Sequence, residues 1–230
     1  PLMETRNKRI LVTTLNWGLG HSSRCIPIIR ALITNGYEPI LASDGVALAL
    51  LKKEFPELIH LELPSYQVEY AKNGKFFMWK LLWNAPKMIV AILKERAIVN
   101  KWIKEYQIKG IISDNRLGVF SHQVPSVFIT HQVFLPPKAG WIAQRIHKKW
   151  MNRFSEIWIM DDQQKRLAGK LSNQVPGSTY IGFYSRFQNR EISLVPGKIV
   201  GIVSGPEPYS EQFFRWILEH YGVRDLVIIS

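Results

Sequence analysis

The sequence predicts an α/β protein: a Rossmann-like parallel sheet over most of the chain, then the start of a second α/β domain. Three observations carry this. Apolar, β-rich runs alternate with helical stretches at βαβ spacing between residues 9 and 63. A glycine-punctuated loop joins the first strand to the first helix. After a Ser-, Asn-, Gln-, Arg-, Pro- and Gly-containing stretch at 184–197, the strand–loop–helix–strand pattern restarts. At roughly 150 residues per domain, 230 residues make about one domain and a half. The expected division is a first domain over 1–183, a linker over 184–197, and one β-α-β unit of an incomplete second domain over 198–230.

The elements follow in order. Arg9 to Leu15 (RILVTTL) is the first strand. The loop Asn16-Trp17-Gly18-Leu19-Gly20-His21 leads to a helix capped by Ser22 or Ser23, which Asn35-Gly36 ends. Pro39 to Ser43 is a strand, Asp44 offers a cap for a helix over Val46 to Phe55, and Leu58 to Leu63 is the third strand. Residues 66–106 read as two helices parted near Asn84-Ala85-Pro86, because proline disfavours a helical residue before it. Short strands follow at Gly110 to Ser113, Ser126 to Thr130, Ile157 to Met160 and Thr179 to Ile181, with a basic helix over Ala139 to Phe154. The second domain opens with a strand at Lys198 to Val203, a helix at Tyr209 to Tyr221 and a strand at Leu226 to Ile229.

Composition removes several classes. With 47% hydrophobic and 21% charged residues the chain can bury a core. The single cysteine, Cys25, excludes an internal disulfide and a Cys-rich zinc site, and suits a reducing, cytoplasmic compartment. No signal-like segment opens the sequence, and no run suits a membrane span of about 20 apolar residues. The net charge of +12 is local: residues 72–109 hold nine basic and two acidic residues, and 138–170 hold eight basic and three acidic.

In an open parallel sheet, ligands bind beyond the C-terminal strand ends. Three groups fall there: Gly18, Gly20 and His21; Asp114, Asn115 and Arg116; His131 and Gln132. A glycine loop before a helix lets backbone N–H groups approach an anion. A dinucleotide fingerprint is one reading of G-L-G-H-S-S, with Ser23 in place of the third glycine and Asp44 as a ribose-binding acid; a bare tight turn is another. Neither accounts for a histidine at the helix mouth. His21 can accept a proton from an alcohol if a carboxylate fixes its tautomer, and Asp114 is the sole acid between Glu105 and Glu156. The bland alternative leaves both as caps. His131 reads as a substrate contact or a structural residue, and His60, His122, His147 and His220 as structural or solvent-facing. No D-x-D, metal-ligand spacing or G-x-S-x-G elbow occurs.

GLGHSSRCIPIIRAL, IISDNRLG, VFITHQ, IGFYSRF and IVSGPEP, in that order, resemble the GT-B glycosyltransferases, near the peptidoglycan N-acetylglucosaminyltransferase and the UDP-glycosyltransferases. The resemblance implies an acceptor-binding N-terminal domain, a donor-binding C-terminal domain, and no cofactor, the nucleotide-sugar being a substrate. It implies inverting, metal-independent transfer, with His21 as base and Asp114 orienting it. Asn16, Gly18, Gly20, Ser204 and Gly205 would face the donor, and Arg116 and His131 the acceptor. The residues that read the donor's base and ribose would lie past Ser230, so this chain alone is expected to transfer sugar poorly or not at all. A nucleotide-sugar 2-epimerase and a non-catalytic sugar- or nucleotide-binding protein on the same fold remain the alternatives.

Lys72, Lys75, Lys80 and Lys87 alternate with Phe76, Phe77, Trp79, Trp83 and Met88. Such a stretch suits peripheral contact with an anionic membrane face, or simply packs on the sheet with solvated lysines; the resemblance adds that contact at the inner face would serve a lipid-linked hydroxyl acceptor. No nucleic-acid-binding pattern accompanies the charge.

Overall fold

The computed structural model describes residues 8–66, 77–135, 140–187, 199–203, 209–221 and 226–229. Ser204, Gly205, most of the expected linker, Lys72, Lys75 and Phe76 fall outside them, as do the side chains of Phe77, Trp79, Lys80 and Trp83. The chain divides into two compact units, Pro1–Gln67 with Asn84–Gln188, and Val68–Trp83 with Asn189–Ser230.

The first unit is built from β1 (Arg9–Thr14), α1 (Gly20–Thr34), β2 (Glu38–Ser43), α2 (Gly45–Glu54), β3 (Ile59–Glu62), the part of α3 (Phe77–Glu105) from Asn84 onward, β4 (Gly110–Asp114), β5 (Ser126–Thr130), α4 (Gly140–Met151), β6 (Glu156–Ile159) and β7 (Ser178–Tyr180). The seven strands form one parallel sheet in the order β3-β2-β1-β4-β5-β6-β7. Alternation sorts the strand residues to two faces. Val12, Leu41, Ile112 and Ile129 pack with Cys25, Ile26 and Ile29 of α1 and Leu51 of α2. Leu11, Ile40 and Ile111 pack with Val99 and Ile103 of α3. Phe128, Ile157 and Ile159 pack with Met151 of α4. The second unit holds β8 (Ile199–Ile202), α5 (Tyr209–His220) and β9 (Leu226–Ile229), the two strands parallel.

Two expectations change. α3 is one helix through Pro86, not two. Proline removes one backbone donor at a cost of about 3 kcal/mol. The helix outweighs this beyond Pro86 by turning Ala91, Ile92, Glu95, Val99 and Ile103 inward at helical spacing. α1 begins at Gly20 rather than after a serine cap. Ser22 is buried in its first turn, with Oγ 3.1 Å from Thr14 Oγ1, so it fastens the helix to the end of β1. Among the described residues no helix is long and apolar enough to cross a membrane.

Candidate functional site

Strand order reverses between β1 and β4, the point where a doubly wound sheet opens a crevice at its C-terminal edge. Register puts Thr14 of β1 beside Asp114 of β4 there. The loop after β1 turns through Gly18, whose φ of 79° suits glycine, and starts α1 at the same edge. His21 therefore sits in the first helical turn, next to the end of β4.

His21 Nδ1 lies 3.1 Å from Asp114 Oδ1. Asp114 is fully buried, and His21 retains 12% side-chain exposure toward the edge. Arg24, three residues along the same helix face, grips the carboxylate with both arms: Nε donates to Oδ2 at 2.6 Å and Nη2 donates to Oδ1. Its Nη1 donates to His131 Nδ1 at 2.7 Å, and Nη2 stands 3.0 Å from His21 Nδ1. Cys25 Sγ is 3.5 Å from Asp114 Oδ2. The rings of His21 and His131 have centroids 6.1 Å apart. Two imidazoles thus share one edge with a guanidinium–carboxylate pair between them.

Charge follows from these contacts. Burial alone would raise the Asp114 pKa, but Arg24 and then His21 outweigh it and hold the carboxyl at about 2. Burial, then the Arg24 cation and His21, lower His131 to about 4 against the pull of Asp114. Burial pushes the Cys25 thiol well up, and the adjacent Asp114 charge adds to it.

The remaining expected site residues divide. Gly18 and Gly20 are exposed, and a Cβ on either would meet nothing within 4 Å, which leaves the helix start open to a ligand. His131 directly follows β5 and is partly buried against Arg24. Asn16 does not face open space with its amide: Nδ2 donates to Asp44 Oδ2 at 3.0 Å, and Oδ1 accepts from Ala47 N at 3.3 Å, in the first turn of α2. It serves the cap that Asp44 was expected to provide. Arg116, expected on the acceptor side, has no exposure at all. Its Nε donates to Thr14 O (2.8 Å), Nη1 to Pro64 O (3.1 Å) and Glu95 Oε1 (2.5 Å), and Nη2 to Asp44 Oδ1. That guanidinium is consumed by the protein and acts as a strut of the fold. Tyr66 completes the cluster, donating to Glu95 Oε2 at 2.8 Å.

Arg24 is the residue the sequence reading passed over. Its i+3 spacing from His21 placed it on the same helix face, so the signal was present. A cavity of about 570 Å³ opens elsewhere on this unit, between Pro64–Tyr66 and the α3 residues Pro86, Lys87, Val90, Ala91 and Lys94. Among the described residues no group of three His, Cys, Asp or Glu side chains is arranged to hold a metal.

No protein-family model matches the sequence, and no curated protein matches it. Solved structures do match in fold. A glycosyltransferase from Rickettsia africae ESF-5 superposes with a TM-score of 0.59 at 13% identity, over 97% of this chain and 68% of that one. The Streptomyces sp. SF2575 glycosyltransferase SsfS6 gives 0.58 at 11% identity, over 96% and 67%. The spinosyn rhamnosyltransferase SpnG gives 0.56 at 12% identity, over 96% and 64%. The chain spans about two thirds of the length of these structures. The seven-stranded parallel sheet, its switch point and these superpositions together give the chain the fold of the GT-B glycosyltransferases.

Proposed function

We propose that the chain is the acceptor-side part of an inverting, metal-independent glycosyltransferase that moves a sugar from a nucleotide-sugar, a UDP-sugar first among them, to a hydroxyl acceptor. The contact between His21 and Asp114 at the strand switch point carries this reading. For base work the His21 hydrogen sits on Nδ1 and is donated to Asp114, so that the Nε2 lone pair faces the acceptor. Nε2 takes the hydroxyl proton as the oxygen bonds to the anomeric carbon. The bond from that carbon to the diphosphate oxygen breaks on the opposite side, its electron pair leaves with the diphosphate, and configuration inverts. The open backbone at Gly18 and Gly20, at the start of α1, suits the developing diphosphate charge.

A second reading, a binding protein without turnover, draws on Arg24. A neutral imidazole nitrogen holds either a hydrogen or a lone pair, so His21 Nδ1 cannot donate to Asp114 and accept from Arg24 at once. Acceptance from Arg24 would put the hydrogen on Nε2 and remove the base.

The deciding assay is release of UDP from UDP-sugars, with and without alcohol acceptors, by a chain extended past Ser230. His21→Ala in that protein should lower the rate about 10²–10⁴-fold. A loss under about threefold, small beside that range, removes His21 from the role.

For the acceptor we propose a lipid-linked hydroxyl met at an anionic cytoplasmic membrane face. α4 exposes Trp141, Ile142 and Ile146 beside Arg145, Lys148 and Lys149. The cavity between Lys87 and Lys94 combines apolar walls with cationic rims. Co-sedimentation with phosphatidylglycerol vesicles that fades with salt and with Trp141→Ser supports the docking; equal binding to neutral vesicles or none at any salt removes it.

A further inference from the structure

His131 stands at the end of β5, outside the His21–Asp114 pair, yet Arg24 reaches it at 2.7 Å. The polarity of that contact is not free. A guanidinium has hydrogens on every nitrogen and no lone pair to offer, so Arg24 donates and His131 Nδ1 accepts. A neutral ring whose Nδ1 accepts must carry its hydrogen on Nε2.

We propose that Arg24 is a positioning residue that assigns the two imidazoles different tasks. Through Nδ1 it fixes His131 as a neutral ring that donates from Nε2 to the acceptor oxygen, leaving His21 as the one ring that takes a proton. The inference rests on the reading of His21 as base. The surroundings of His131 agree with it. α1 turns His21, Arg24 and Cys25 toward this end of the sheet, and β4 ends there in Asp114. From α4, His147 Nε2 lies 3.3 Å from the carbonyl of Gln132, the next residue. Burial first, then Arg24 and His21, outweigh Asp114 and hold His131 to about 4, so it is neutral at pH 7. The ring centroids are 6.1 Å apart, so the two imidazoles are direct neighbours at the site. A hydroxyl fits such a pair, since it donates to one ring and accepts from the other. An ammonium cannot accept from His131 and would meet the Arg24 charge, so the site selects alcohols over protonated amines.

The test is tautomer and titration analysis by long-range ¹H–¹⁵N correlation on the ¹⁵N-histidine-labelled chain, without substrate, with His131→Gln for assignment. At pH 7 His131 should be unprotonated at Nδ1 and protonated at Nε2, with a titration midpoint below about pH 5. Arg24→Met should raise that midpoint by about one pH unit or more, toward the ordinary histidine value. A hydrogen on Nδ1 of His131 in the wild-type chain overturns the inference. So does a midpoint unchanged within about 0.3 unit in Arg24→Met, since removing the adjacent cation must register. The wild-type tautomer decides even where the variant fails to fold. His21 is read in the same spectrum: a hydrogen on its Nε2 sinks the base reading and leaves the Arg24–His131 assignment standing, and the converse failure leaves the base reading intact.

Discussion

Replacing Asp114 by Asn tests the centre of the site, because it removes the charge and keeps the shape. The folded carboxyl titrates at about 2, against an ordinary value of 3.8. A folded pKa below the unfolded one favours the native state when the group is ionised. The stabilisation is thus complete above about pH 4 and is lost as pH falls through 2. At 1.36 kcal/mol per pH unit, the difference is on the order of 2 kcal/mol. Asn costs more than protonation, because an amide offers one acceptor oxygen where Arg24 uses two and leaves a cation of 14% exposure half-matched. Removal of one partner from a buried pair costs about 3–5 kcal/mol, so a loss of roughly 3 kcal/mol is expected in urea unfolding at pH 7. The Asp114→Asn and Arg24→Met losses should fall short of additivity by about 1 kcal/mol or more in the double variant. The gap between wild type and Asp114→Asn should also narrow steadily from pH 5 toward pH 2. A loss under about 1 kcal/mol, an additive cycle, or a pH-independent gap would refute the argument.

Three further outcomes are expected. Arg116→Met leaves Asp44 and Glu95 buried without their cation and should lose about 3–5 kcal/mol in the same assay; stability within about 1 kcal/mol of wild type removes its strut role. Gly118→Ala would set a Cβ 2.9 Å from Glu95 Cβ and against the Ile92 carbonyl, so α3 must give way at a cost of about 1–3 kcal/mol. A variant as stable as wild type would show that this approach is not tight. Cys25 is buried with its thiol held well up in pKa, so Ellman's reagent should label it only after unfolding; prompt labelling of native protein at pH 8 contradicts that burial.

Periodicity made the elements of the first unit legible. Ser126–Thr130 matches the expected strand, and the other strands of this unit shift by at most one residue at either end, because hydrophobic alternation and Gly or Pro boundaries are local signals. The approach of His21 to Asp114 followed from strand ends alone, which a parallel sheet gathers along one edge. The contact of Asn16 with Asp44 was not legible, because the two are 28 residues apart and only the pairing of β1 with β2 brings them together. The burial of Arg116 was hidden for a different reason. Asp114 and Arg116 are two apart, and strand alternation would send both to one face. Asn115 adopts a left-handed φ of 55°, which no local pattern announced. Asp114 therefore meets α1, while Arg116 crosses to Glu95 on α3.

That turn at Asn115 has a consequence for how the molecule comes apart. The two residues that flank Asn115 anchor both layers of the sandwich: Asp114 fastens α1, and Arg116 fastens α3, the start of α2 and the carbonyl of Thr14 on β1. Loosening either helix layer tugs on the same short peptide. The edge that holds His21 and Asp114 accordingly has no private melting transition. Heat or urea should extinguish the His21 environment and the α3 packing in a single cooperative step, so loss of the His21–Asp114 contact tracks global unfolding of this unit and does not precede it.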